Sequence, residues 1–165
     1  GKDRSLARAI RYSKRSAQYA RLADIGDPCV LTRGQVLNIQ KQFTDAGFKG
    51  LIGYTASWND AGLHLHGLVM ASCGPDLDKA DWALQTGWSG ATVILDQKTF
   101  DSAHNDTTLR RLLLTKQRNP LTLCPHDRQK LETTRPITCN ECGLCDAASA
   151  NHLIIAFRQK IKEPR

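Results

Sequence analysis

The sequence predicts an α/β fold: a small, largely parallel sheet built from partial barrel-like βα units, with an irregular four-cysteine metal-binding lobe near the C-terminus. Three observations point there. Short apolar segments alternate with helical patterns, which is the signature of βαβ units. Glycine, proline and aspartate punctuate the segment ends, as in Gly26-Asp27-Pro28 and Gly74-Pro75-Asp76. Four of the six cysteines fall between residues 124 and 145.

The elements follow in order. Residues 5–20 read as a helix, and residues 1–21 as a basic N-terminal segment. Arg4, Arg8, Arg11 and Arg15 recur at helical spacing, with Lys14 beside them. Residues 21–25 suit a short strand. Thr32 and Gln35 have the spacing of a capping box, which predicts a helix to about Ala46, stopped by Gly47. Residues 50–55 and 65–72 read as apolar strands. Pro75 and Asp76 start a helix that ends at Gly87, and 91–95 is the next strand. Thr107 is a candidate cap for a helix over 107–117. Residues 118–146 form the cysteine lobe, and 153–157 a last strand before a basic tail.

Length sets one domain over 1–165, with the metal lobe inside it. No apolar run approaches the ~18 residues of a membrane span, and no secretory signal is recognisable. Cytoplasmic thiols are therefore expected, not a disulfide scaffold. The net charge of +7 is uneven. Residues 1–21, 107–135 and 158–165 are basic, and 22–106 are mildly acidic. Such clusters attract polyanions by counterion release, so nucleic acid is the expected partner. Arg4, Arg8, Arg11, Lys14 and Arg15 are its candidate contacts, extended by Arg158, Lys160 and Lys162. A host protein complex is the other partner class considered.

Cys139, Cys142 and Cys145 are each separated by two residues, and Cys124 precedes them by fourteen intervening residues. Three thiols at that spacing cannot all pair with one another, but they can share one metal. Thiolates two residues apart suit tetrahedral zinc or an iron–sulfur cluster. Gly143 offers the φ > 0 that such a knuckle needs. One centre on Cys124, Cys139, Cys142 and Cys145 is expected, with zinc favoured over [4Fe–4S] because no electron partner is evident. A redox-active or merely buried thiol set is the alternative. Cys29 and Cys73 read as small buried hydrophobes.

In α/β folds the carboxyl ends of the strands carry the site. Those ends hold Asp27, Thr55, Trp58, Ser72 and Asp96. Asp27 is either an acid in a site or a turn residue bonding backbone N–H groups. Tyr54, Trp58, Trp82 and Trp88 could stack on bases; on its amphipathic helix Trp82 reads rather as core, and Trp58 as a wall of a site. His64-Leu65-His66 on a strand would present both imidazoles on one face, as in the metal motif of HUH rolling-circle nucleases; set against it are a strand entry or loop carrying two exposed or hydrogen-bonded histidines, and a different metal or phosphate contact. The nuclease reading wants a tyrosine nucleophile downstream, and Tyr12, Tyr19 and Tyr54 all lie upstream.

The blocks Ile25-Gly-Asp-Pro28, Gly53-Tyr-Thr-Ala-Ser-Trp58, Val69-Met-Ala-Ser72, Gly87-Trp88, Cys124-Pro125 and Cys139-x-x-Cys-Gly-Leu-Cys145 stand in an order that resembles a domain-of-unknown-function family. Its members are carried by bacteriophages, plasmids and other mobile elements. The resemblance covers roughly residues 20–157. It implies a phage or plasmid context in a bacterial cytoplasm and no settled reaction; with the basic flanks and the cysteine lobe, a binding or regulatory role in replication or host takeover is expected. Ala56 stands where the family usually has His, and the N-terminal cysteines of its larger members are absent. Three functions are thus expected in turn: a metal- and nucleic-acid-binding module, an HUH-like nuclease using His64 and His66, and an inhibitor of a host complex.

Overall fold

The computed structural model describes residues 18–22, 26–106, 108, 121–148, 150 and 152–160. Arg4, Arg8, Arg11, Lys14, Arg15 and Lys162 lie outside them, as does nearly all of the expected 107–117 helix. Among the described residues the strands are β1 Tyr19–Arg21, β2 Gly50–Ile52, β3 Tyr54–Thr55, β4 Met70–Ser72, β5 Gly90–Leu95, β6 Leu121–Leu123 and β7 Leu153–Arg158. The α-helices placed among them are α1 Arg33–Asp45, α2 Leu77–Gln85, α3 Gln97–Asn105, α4 Pro125–Gln129 and α5 Cys139–Cys142, with 3-10 turns at Pro28–Val30 and Leu63–Leu65. None is long and apolar enough to cross a membrane.

Every strand pairing is parallel. β1 pairs with β2, and the remaining five run in the order β3-β4-β5-β7-β6. Gly53 links the two sets. It separates β2 from β3 by one residue, and its carbonyl accepts from the Met70 N–H at 2.9 Å. A Cβ at Gly53 would press on Val69 Cγ1 at 2.9 Å, so close backbone approach explains the glycine.

Local sequence sets the helix starts. The capping box of α1 forms as read: Gln35 N donates to Thr32 Oγ1 at 3.2 Å, and Thr32 N to Gln35 Oε1 at 2.8 Å. Asp76 and Asp96 cap α2 and α3 through the N–H groups of Lys79 and Thr99. The helices lay one face on the sheet, where Val36, Phe43, Ala80, Ala83, Phe100 and Ala103 meet Leu51, Ala71, Val93, Ile154 and Ala156. The opposite face of the sheet carries a second cluster: Ile52, Met70 and Ile155 with Cys124, Cys145 and Ala147. Strand alternation sorts the two sides. Val93 and Leu95 go to the helices, while Thr92 and Ile94 turn the other way.

Several expectations are corrected. The N-terminal helix cannot run to residue 20, because Tyr19–Arg21 is drawn into a strand against β2. Tertiary pairing overrides the helix propensity of Ala20. Of the apolar run 65–72, only 70–72 is strand. Helix α3 was not anticipated, and neither were β6, α4 and α5 within 118–146.

Candidate functional site: a four-cysteine recess beside an open cleft

Cys124 directly follows β6 and caps α4. Its N–H donates to Ala156 O of β7 at 2.8 Å, and Pro125 takes the first helical position, where a missing N–H costs nothing. Cys139 and Cys142 sit at the two ends of α5, one turn apart and so on one side of it. Thr138 starts that turn: its N–H and hydroxyl donate to Glu141 Oε2 at 2.9 and 2.7 Å. Gly143 ends it at φ 65°, and a Cβ there would run into the Tyr19 ring. The positive φ expected at Gly143 is present. Asp146, bridged to Ile52, then ties the lobe to the edge of β2.

The four thiols surround one recess, completed by Ile52, Pro125, His126, Leu144 and Ile155 and holding no carboxylate. Its volume is about 10 Å³, roughly one water-sized sphere. Cys124 and Cys145 are buried, Cys139 and Cys142 half-buried, and none of the four is in a disulfide. Burial pushes the Cys124 thiol up to about 11 and the Cys145 thiol to about 12; for Cys145 the Tyr54 hydroxyl bonded to its sulfur works against that rise. Tyr54 is itself pushed above the ordinary phenol range, by burial first and then by the charge of Cys145. Among the described residues no group of three or more His, Cys, Asp or Glu side chains is arranged to hold an ion as it stands. The thiols ring a space and are not closed on a point.

His126 is part of the same wall. Its Nδ1 lies 2.6 Å from Ile137 O. A carbonyl only accepts, so Nδ1 carries the proton, and in the neutral ring Nε2 keeps a lone pair. His126, Cys124 and Cys139 also line a much larger cleft of about 770 Å³ on the open face of the sheet. Its floor is Tyr54, Ser72, Thr92, Ile94 and Phe157. Ile94 remains 42% exposed although it lies on the strand in the middle of the five. Its rim holds Arg21, Asp96, Asp127, Arg158 and Lys160. Arg158 is clamped by Asp101 through two bonds of 2.7 and 2.8 Å. Asp127 accepts from the Arg158 N–H at 2.9 Å.

The strand-end candidates do not form one constellation. Asp27 accepts from Thr55 Oγ1 at 2.6 Å, from Ala56 N at 2.7 Å, from Cys29 N at 2.9 Å and from Ser57 N at 3.3 Å. Burial alone would raise its pKa, but the Thr55 hydroxyl and the backbone donors outweigh it and hold the carboxyl below the ordinary range. Both oxygens are engaged in fastening the β3 end to the turn at Pro28. Thr55 is fully buried, and Trp58 is 5% exposed.

The histidines sit in a turn, as the loop reading expects, and not on the strand that the nuclease reading needs. Leu63–Leu65 is a 3-10 turn, so strand alternation does not align the two imidazoles. His64 Nε2 lies 2.6 Å from Leu31 O. His66 packs edge-on against Trp88, 4.4 Å between ring centroids.

Trp82 is also corrected: it is 57% exposed, not core. The inner side of α2 is Ala80, Ala83 and Leu84, and Trp82 faces away from it. It lines a second cavity of about 290 Å³ with Ala56, Trp58, Asn59, Ser72, Cys73 and Lys79. His126 and the cleft itself carry no sequence signal beyond the nearness of His126 to Cys124, because strand order brings the lining together. No family model, no curated protein and no solved structure matches the chain.

Proposed function

We propose that the chain is a metalloprotein whose Cys124, Cys139, Cys142 and Cys145 hold one metal centre at the edge of a ligand cleft. The observation that carries this reading is the convergence of four thiols, from the end of β6, from α5 and from the turn after it, on a single recess. The donor chemistry fits. All-sulfur sets select zinc or iron–sulfur centres, and no carboxylate intrudes to favour a harder ion. The size of the recess favours a single ion, hence zinc. Closing four sulfurs on it takes rotation of the thiol side chains, which the half-buried Cys139 and Cys142 have room to make. The Tyr54 hydroxyl bonded to Cys145 sulfur, and α5 held by its Thr138–Glu141 cap, are the supports such a centre needs around its ligands.

A centre here would supply structural cross-linking, and with four thiolate ligands it would carry net negative charge at the cleft wall. The chain's own groups do the rest: Lys160 and Arg21 offer cations, Ser72 and Thr92 hydroxyls, Tyr54 and Phe157 aromatic surface. Nucleic acid remains the partner class that the net charge supports, and the resemblance to mobile-element proteins supplies a bacterial setting. Nothing in the placement of His64 and His66 favours the nuclease alternative.

Thiol accounting tests the metal reading. In native protein, four of the six thiols should resist a thiol reagent until a strong chelator is added, leaving only Cys29 and Cys73 outside the centre. Reaction of all four lobe thiols at the same rate with and without chelator contradicts the proposal.

A further inference from the structure

We propose that the exposed indole of Trp82 anchors a docking surface for a basic polypeptide segment, which lays an arginine side chain on the ring. The surface shares no residue with the cysteine recess and does not depend on the metal reading.

Trp82 is 57% exposed, whereas Trp58 and Trp88 are buried. The packing of α2 does not require an indole at this position, because Ala80, Ala83 and Leu84 make its inner side. Tryptophan is among the residues that most often carry binding energy at protein interfaces. The ring borders the cavity of about 290 Å³, whose walls include the buried Trp58 and Cys73. That volume is just below the range of about 300–1,000 Å³ for whole small-molecule ligands. It suits one side chain of a longer partner that otherwise lies on the open surface.

Charge decides which side chain. Asp78 lies one helical turn before Trp82, on the same side of α2. Asp81 directly precedes Trp82, and its carboxylate accepts from the Gln85 amide, a neutral donor that leaves the charge in place. Asp60 follows Asn59, which lines the cavity together with Trp82. Among the described lining residues Lys79 is the one cation, and Asp76 pairs with it at 3.8 Å. Carboxylates thus outnumber cations around the indole, as they do among the described residues as a whole. A cation over the face of a tryptophan is attracted by the ring quadrupole. Arginine fits best, because its planar guanidinium stacks on an indole while its N–H groups reach a neighbouring carboxylate, here that of Asp78. An anion in the same place would meet the carboxylates of Asp60, Asp78 and Asp81.

The test is an NMR titration of the isotope-labelled full chain that follows the indole N–H signals. The probe is a synthetic peptide of repeated Gly-Ser-Arg, with repeated Gly-Ser-Gln and Gly-Ser-Glu as neutral and acidic counterparts. Trp82→Phe assigns the Trp82 signal. The arginine peptide should shift that signal and leave those of Trp58 and Trp88 in place, and the counterparts should shift none. Peptide is taken to about 1 mM, where a Kd of that order still registers. Trp82→Ala should weaken binding of the arginine peptide roughly three- to thirtyfold, read by fluorescence anisotropy. Because Trp82 is exposed, that variant should fold. Asp78→Asn should also weaken binding. Lys79→Gln, which removes a like charge, should strengthen it. An unmoved Trp82 signal, a preference for the acidic peptide, a Trp82→Ala variant that binds like wild type, or weaker binding in Lys79→Gln each overturns the inference. So does an oligo-dT probe that moves the Trp82 signal where the arginine peptide does not.

Discussion

Cys142→Ser should release the metal and loosen residues 121–148 while the helix-covered sheet stays folded. Cys142 closes the one-turn helix α5, directly before the left-handed Gly143. Losing one of four thiolates removes a ligand from a centre whose binding is itself folding free energy, ~10–16 kcal/mol for structural zinc sites. Much less apolar packing stands behind the lobe than behind the main core: Cys124, Cys145 and Ala147 are its fully buried members against Ile52, Met70 and Ile155. The main core, with Val36, Val93, Phe100 and Ile154, does not use it. Metal content should therefore fall to near zero. Amide exchange in α4 and α5 should accelerate while β5 and β7 stay protected. Cys29→Ser, in the 3-10 turn after Asp27, is the control and should keep its metal. Full metal retention and native melting of Cys142→Ser would falsify the assignment of that ligand.

Asp27→Ala should cost about 1–3 kcal/mol. It strands the buried Thr55 hydroxyl; the N–H groups of Cys29 and Ala56 reach water, and that of Ser57 keeps Thr55 Oγ1 at 3.2 Å. The pH dependence has a definite sign. The folded pKa lies below the unfolded value. The contribution of Asp27 is therefore full above the unfolded carboxylate pKa of about 3.9 and is lost as pH falls through the folded value. Chemical denaturation of wild type and variant at neutral pH and near pH 3 checks both points. The gap between them should narrow in acid. An unchanged midpoint at neutral pH would show that Asp27 is free for another task.

How much of this was legible in the sequence depends on range. Signals within a few residues read correctly: Thr32 with Gln35 for α1, Asp76 for α2, Gly143 at positive φ after Cys142. Helix α3 escaped because Phe100 and Ala103 are the buried apolar positions of its nine residues, too few for a period to show. Asp96 was consequently read as a strand-end group, when it caps that helix. In the run Leu65-His-Gly-Leu-Val-Met70 the four apolar side chains are buried, which suits a strand or a tight turn equally well; Gly67 at φ 75° marks the turn. Trp82 misled because a large apolar residue on a helix was assumed to be core. On α2 the small Ala80 and Ala83 do the close packing, and the indole is left outside.

The cysteine triplet was visible from spacing alone. That Cys124 completes the ring depends on β6 pairing with β7, a contact more than thirty residues long in sequence. The cleft depends on the full strand order β3-β4-β5-β7-β6, which no local pattern encodes.

The central claim is one metal on four thiolates. It is tested most directly by purifying the full chain under anaerobic conditions and measuring metal content alongside its absorption spectrum. One zinc per chain, a colourless protein and loss of that zinc in Cys142→Ser are the predicted results. Stoichiometric iron with visible absorption would keep the four ligands and replace zinc by a cluster. Protein that is fully folded, metal-free and reactive at all four lobe thiols contradicts the account.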